Sequence, residues 1–480
     1  MKKKNSLFKV IGCSILLATI LSWLLKAKYF DGTTMADYGF YRVGLFDLLE
    51  YPFLSAQFFI QIVLFLFVVG GFYGVLSVTG VYKNIVEKLA KKFKKKGSLF
   101  LLVVSFIMAA MSSFLGYGTL LFVFVPFLAA IILLLGYDTM VAFLTTIVPV
   151  IIGYIGSVYD PAIVGQINNT LGTTYDTLIV AKIILFVLSY VVYAFLLIKY
   201  SKKVVIKNEK KNKNSDNKQK NEELINEYLG EKGSNKKSLP LVIVLCLLFI
   251  VFILGCTKWS EVFNITWFSE AFNNINNFTI KDTDFAIFSY IIGSSMVAFG
   301  EWSFIQVAIT LLITSMIISL MYKVSFNDYI ESFGKGATKM IRSIVLVLLA
   351  YVVLIITAYH PFYGTITDAI LGLTKKFNIF TCALSTMIGS FFNIEVMYLG
   401  QSSLAYSASL FSTESAINMQ AIITQGIYGL TMLFAPTSIL LILGLDYFDI
   451  SYSKWLKLAW KLLVILLLII LATVIIVGKI

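Results

Sequence analysis

The sequence predicts an all-α polytopic membrane protein of two inverted repeats, each with a re-entrant helical hairpin and a discontinuous transmembrane helix. Three observations carry this. Apolar runs of about 18 or more residues recur along the chain, each long enough to cross a bilayer as a helix. Two further apolar pieces are too long for one span and have polar or glycine-rich centres. Each of these two is followed by an apolar run that breaks at a proline.

Composition bounds the class. The 480 residues are 59% hydrophobic and 14% charged, against about 25% charged in a soluble chain. Mean hydropathy is +0.87. The runs do not alternate as barrel strands do. The net charge of +13 sits mainly in loops beside spans, where Lys and Arg mark the cytoplasmic side, so a nucleic-acid partner is excluded. Cys13, Cys246, Cys256 and Cys382 show no metal spacing or disulfide framework. A single histidine, His360, excludes a multi-histidine metal site. No Ser/His/Asp set and no phosphate loop is present. These absences argue against an enzyme, and no cofactor is expected.

The elements follow in order. "MKKK" starts inside, and the run at about 7–27 crosses outward. It is too long for a signal peptide and lacks a small-residue cleavage site, so it reads as a retained span. An outside segment at about 28–55 precedes an inward run at about 57–82. "YKNIVEKLAKKFKKKG" is basic and amphipathic and belongs on the cytoplasmic membrane surface. The first hairpin candidate is 99–138. The apolar run behind it breaks at "YDPAIVG", and a span at about 178–199 returns inside. A Lys-, Asn- and Glu-rich stretch follows, with the composition of a disordered cytoplasmic linker. The expected organisation is therefore a membrane half at 1–200, a linker at 201–238 and a second half at 239–480.

The second half has an outward span at about 239–257 and a return run at about 287–322, with "GEWS" in its middle. A second amphipathic loop, "SFNDYIESFGKGATKMIR", is followed by a span at about 342–359. Then come the second hairpin candidate, within 380–416, an apolar run broken at "APTSILL", and a last run at about 455–478. The protein should be multi-pass in the cell membrane with a cytoplasmic N-terminus.

The repeat lies in the spacing. Ser113 to Pro161 is 48 positions, and Ser390 to Pro436 is 46. The loop before the first hairpin has "KKFKKK", whereas the loop before the second has only Lys375 and Lys376 nearby. That charge difference places the two hairpins on opposite sides. Inverted repeats with paired broken helices mark secondary transporters, with the binding site where the breaks meet. Pro161 suits a first helical position, because its missing N–H would be unpaired there anyway. The N–H groups freed at that half-helix could receive an anionic group.

The candidate site residues are those at the breaks and tips. Asp160 and Pro161 stand at the first break, and Ser113, Gly116 and Tyr117 at the first tip. Asn393 and Glu395 stand at the second tip, with Gln401 and Ser402 just beyond it. Pro436, Thr437 and Ser438 form the second break. A carboxylate inside a membrane must be paired, protonated or bound to a cation, so Asp160 and Glu395 lead. Glu301 and His360 follow, since each reads more simply as interfacial. The hydroxyls and amides would orient a small polar substrate.

The chain resembles the YfcC-type carriers, grouped with the anaerobic four-carbon dicarboxylate carriers in the ion transporter superfamily. The resemblance rests on "FVVGGFYGVLSVTGVYKNIVEKLAKK", "LLLGYDTMVAFLTTIVPVIIGYIGSVYDP", "FNDYIESFGKGATKM", "SFFNIEVMYLGQSSLA" and "APTSILLILGLDYFDISYSKWLK", in that order over most of the chain. It departs at the site: the first tip "FLGYGTLLF" has no acid, and Asp160 stands where the family commonly has Asn. The resemblance implies a secondary active transporter of a small carboxylated metabolite, an amino acid or a dicarboxylate. It implies elevator-like alternating access, ion-coupled or by exchange, with Na⁺ or H⁺ as the coupling ion, and a homodimer in the lipid bilayer. Arginine/ornithine-type exchange is the alternative cargo, and an ion channel the alternative class.

Overall fold

The computed structural model describes residues 6–211, 229–230, 233–280, 285–293 and 296–479. The basic start at 1–5 and most of the expected linker, 212–228 and 231–232, lie outside the described residues.

Helix α1 (Ser6–Leu24) leads into a short antiparallel hairpin of β1 (Lys28–Phe30) and β2 (Met35–Asp37), with Tyr29 opposite Ala36. Helices α2 (Leu45–Phe58), α3 (Ile60–Val78) and α4 (Val81–Phe93) follow. The next group is α5 (Gly97–Leu115), a 3-10 stretch Gly118–Phe124, and α6 (Val125–Leu134). Then come α7 (Thr139–Thr146), α8 (Val148–Ile155), a π-helical turn Pro161–Gly165, α9 (Gln166–Leu171) and α10 (Ile179–Lys211). So α10 runs well past the boundary expected at residue 200, into the polar sequence.

After the linker come α11 (Leu239–Cys256), α12 (Trp259–Phe263), α13 (Trp267–Asn276) and α14 (Ile287–Ile292). Helices α15 (Phe304–Met321), α16 (Phe326–Thr338), α17 (Ile341–Tyr359) and α18 (Phe362–Leu371) follow. The last group is α19 (Ile379–Phe392), α20 (Val396–Leu399), a π-helical turn Gly400–Leu404, α21 (Ala405–Leu410), α22 (Glu414–Met432), α23 (Ile439–Tyr447) and α24 (Tyr452–Val477). The run expected at 287–322 is helical as a long span only from Phe304. Gly300, in a left-handed conformation, and the exposed Glu301 precede it.

Among the described residues, eight helical stretches are long and apolar enough to cross a membrane. The chain is thus an all-α polytopic membrane protein, with a single two-stranded ribbon among the described residues. Three apolar stretches are shorter: Gly118–Leu134, Thr139–Ile155 and Ile379–Phe392. Helix α19 has 14 residues and rises about 21 Å, short of the roughly 30 Å hydrocarbon core. These short pieces are the arms expected of hairpins and broken helices.

By packing, the chain forms two compact units. One comprises Leu64–Ile85 and Gly233–Thr338. In it α3 meets α16 at glycines: a Cβ at Gly74 would collide with the Ser332 carbonyl, and one at Gly336 with that of Gly70. Backbones approach this closely only where side chains are absent, a common device between membrane helices.

The other unit comprises Met1–Val63, Val86–Lys232 and Lys339–Ile480. Here α5 packs on α8 and α19 on α22, while α8 packs on α22. Helix α10 flanks α8, α24 flanks α22, and α10 packs on α24. Both expected hairpins close. A Cβ at Gly97, where α5 begins, would lie 2.8 Å from the Tyr137 hydroxyl just past α6. In the second, Cys382 Sγ lies 3.6 Å from Ser407 Oγ, and the Phe377 and Phe411 rings are 5.8 Å apart.

Candidate functional site

In a membrane every non-helical backbone group must find a protein partner. The partners at these tips and breaks build the site. At the first, α5 ends at Gly116, which adopts the left-handed conformation with φ +68°. Ser113 Oγ donates to the Gly156 carbonyl at 2.7 Å. In return the Val158 and Tyr159 amides donate to the Ser113 carbonyl at 2.9 and 3.2 Å. The first tip is thus stitched to the first break. The fit is tight: a Cβ at Gly116 would lie 2.6 Å from Pro161 Cδ and 2.9 Å from Asp160 Oδ1.

Asp160 is 1% exposed. Its Oδ1 accepts the Ala162 amide at 2.8 Å and the Ile163 amide at 3.3 Å, and Pro161 takes the first helical position. The N–H groups expected to await an anionic ligand are therefore occupied by this residue's own carboxylate. An N-capping acid does this wherever its χ angles reach the next turn.

The second tip is built differently. Glu395, partly buried, precedes α20 but makes no side-chain cap. Its Oε1 accepts from the Tyr351 hydroxyl at 2.8 Å, and the Tyr351 ring stacks on Phe59 with centroids 3.5 Å apart. Thr437 Oγ1 donates to the Phe391 carbonyl at 2.8 Å, and the Tyr428 hydroxyl to the Ile394 carbonyl at 2.9 Å. At the second break, Trp455 Nε1 donates to the Leu433 carbonyl at 2.7 Å, and the Tyr452 hydroxyl donates to that of Phe434. Asn393 is 4% exposed, and its Nδ2 has no hydrogen-bond partner among the described residues.

The two junctions adjoin. Gln425 Nε2 donates to the Ile155 carbonyl at 3.1 Å. Gly429 sits against Ile155, since a Cβ there would be 2.5 Å from its nitrogen. The Tyr154 and Tyr428 rings lie 6.4 Å apart. The second hairpin reaches the first half-helix, where a Cβ at Gly400 would lie 2.9 Å from Thr170 Oγ1.

Most of the expected site residues gather here: Ser113, Gly116, Asp160, Pro161, Glu395 and Thr437 through the contacts above, with Tyr117, Asn393, Pro436 and Ser438 buried beside them in sequence. Two lead elsewhere. Gln401 is exposed, and Ser402 Oγ donates back to the Tyr398 carbonyl at 2.7 Å. A serine in a helical turn takes the nearest free carbonyl. His360 is buried between the Tyr51 hydroxyl at 2.6 Å and the Tyr41 carbonyl at 2.9 Å.

Sequence reading missed Tyr351, Tyr154, Tyr428 and Gln425. A signal existed for two of them, since Tyr154 and Tyr428 precede Pro161 and Pro436 by nearly the same interval. It also missed Lys182, the one buried lysine or arginine among the described residues, whose Nζ donates to the Tyr175 carbonyl at 3.2 Å. Among the described residues no group of three His, Cys, Asp or Glu could hold a metal.

The site thus consists of hairpin tips set beside helix breaks, with their backbone satisfied inside a helical membrane unit. The comparison with known families gives the class. The DcuC family, described as C4-dicarboxylate anaerobic carriers, matches residues 14–478. The chain belongs to that family and is a membrane transporter. Among solved structures, the YdaH transporter of Alcanivorax borkumensis is similar, with 12% identity and a TM-score of 0.41. The match covers 99% of this chain and 98% of that one. No curated protein matches.

Proposed function

We propose that the protein is a secondary active transporter of four-carbon dicarboxylates that binds its cargo where the two hairpin tips meet the two breaks. The family's description supports the substrate class. The observation that carries the site is the Asn393 side-chain amide, buried with its Nδ2 unpartnered among the described residues. A buried amide donor costs about 1–3 kcal/mol unpaired, and a carboxylate oxygen is a fitting acceptor.

The two halves are read as inverted repeats. Support comes from matched packing: α5 on α8 with α19 on α22, and α10 on α8 with α24 on α22. In this reading the unit of Leu64–Ile85 and Gly233–Thr338 is the stationary scaffold and homodimer interface. The hairpin unit moves, elevator-like, across the membrane. The N-terminus is cytoplasmic, and the YfcC-type carriers are the subgroup. Na⁺ or H⁺ drives the cycle, with Glu395 the coupling candidate, because its carboxylate is held by a neutral group, the Tyr351 hydroxyl.

A second reading, exchange of basic amino acids, is favoured by the two site carboxylates. Proteoliposomes separate the two. Labelled succinate or fumarate should enter saturably, with a dependence on Na⁺ or pH. Uptake of arginine against internal ornithine, without dicarboxylate uptake, would establish the second reading. Ohmic, non-saturating flux would establish a channel.

A further inference from the structure

We infer that the lysine cluster Lys88–Lys96 binds the phosphodiester headgroups of anionic membrane lipids. Helix α4 and the 3-10 turn Lys94–Lys96 lead directly into the membrane helix α5, and Val81–Leu115 is one continuous helical stretch. The apolar face of α4 is already covered: Val81, Tyr82, Ile85, Val86 and Ala90 are buried. What remains outward is charge. Lys88, Lys91, Lys92, Lys94, Lys95 and Lys96 are all exposed. Glu87 is the one acid between Val81 and Gly97. None of the six lysines has an ion-pair partner among the described residues.

The other amphipathic helix shows that this is not general to the fold. In α16, Lys335 pairs with Glu331 at 2.5 Å, and Asp328 accepts from Ser325 Oγ at 2.6 Å. That helix neutralises itself, whereas the Lys88–Lys96 segment leaves its charge for a partner. Six cations without an ion-pair partner among the described residues, within nine residues at the mouth of a membrane helix, meet headgroups first. Each lysine near an anionic leaflet strengthens the attraction about fivefold, and the effect fades within a Debye length.

The test uses the full chain, purified in mild detergent from vesicles of phosphatidylcholine mixed with phosphatidylglycerol, and reads co-purified lipid per protein. Wild type should retain phosphatidylglycerol over phosphatidylcholine by fivefold or more, and high salt should erase that preference. The combined variant K88Q/K91Q/K92Q/K94Q/K95Q/K96Q should lose it, whereas K375Q/K376Q, with two exposed lysines removed elsewhere, should keep it. The corresponding six Lys→Arg changes should also keep it. Equal retention by wild type and the glutamine variant would overturn the inference. So would displacement by millimolar glycerol phosphate, which would mark a site for free phosphate. If the glutamine variant fails to insert, the salt titration of wild type decides, and a salt-independent preference sinks the idea.

Discussion

Asp160 and Glu395 each stand immediately before a half-helix in the same unit, yet the protein satisfies them in different ways. Asp160 is closed in on itself, with Oδ1 holding the Ala162 and Ile163 amides under a roof of Gly116. Glu395 leaves its own helix end uncapped and reaches a phenol 44 positions earlier in the chain, Tyr351. A carboxylate that caps its own turn is held by local geometry and stays with its half-helix when neighbours move. One held by a single hydroxyl on another helix is held only while the two helices stay in register. Under the proposed carrier reading, Asp160 mainly shapes the break and Glu395 mainly senses ligand or ion.

The sharpest break of that contrast is a pair of isosteric neutral variants. Glu395→Gln keeps an acceptor for Tyr351 and should lower uptake at least tenfold. It should also flatten the Na⁺ or pH dependence and leave the melting temperature nearly unchanged. Asp160→Asn keeps a capping oxygen and should fold as well as wild type. Its residual uptake should exceed that of Glu395→Gln and retain the ion dependence. Equal loss in both, measured as initial uptake rates, would end the division of roles.

A smaller effect is expected from Gly116→Ala. Its φ of +68° and the 2.6 Å approach to Pro161 Cδ both oppose a Cβ, so the stability loss should reach about 2 kcal/mol. The same change at Gly136, where φ is +90° but no atom lies within 4 Å, should cost about 1 kcal/mol from backbone strain alone. Thermal unfolding in detergent would compare them.

Next comes Asp160→Ala, which removes the cap and should cost about 1–2 kcal/mol, recovered in Asp160→Asn. Failure of Asn to recover stability would show that the charge, and not the cap, matters at this position.

The least effect belongs to the stitches. Ser113→Ala and Thr437→Val each delete one neutral hydrogen bond, for about 1 kcal/mol or less. Because they join separate tip–break pairs, their costs should add. A marked non-additivity in the double variant's melting would show that the two junctions act as one structure.

What the sequence by itself determined is what depends on neighbours along the chain. Hydropathy located the spans, since crossing needs only length and apolarity. Gly116 and the Asn393–Glu395 stretch located the tips, and Pro161 and Pro436 located the breaks, because a helix breaker acts within its own turn. The 48- and 46-residue intervals paired them before any contact was visible. Tertiary structure alone decided which groups close on one another. That Asp160 spends its carboxylate on its own amides depends on a backbone turn no periodicity encodes. That Tyr351 finds Glu395, and Gln425 finds the Ile155 carbonyl 270 positions away, depends on how helices cross. Gln401 and Ser402 looked equivalent to their neighbours in composition, yet the π-helical turn Gly400–Leu404 left one exposed and the other bonded to its own backbone. The division into two compact units also cuts across chain order. Packing is set by side-chain shape at crossings such as Gly74 on Ser332, which is written in no single stretch of the chain.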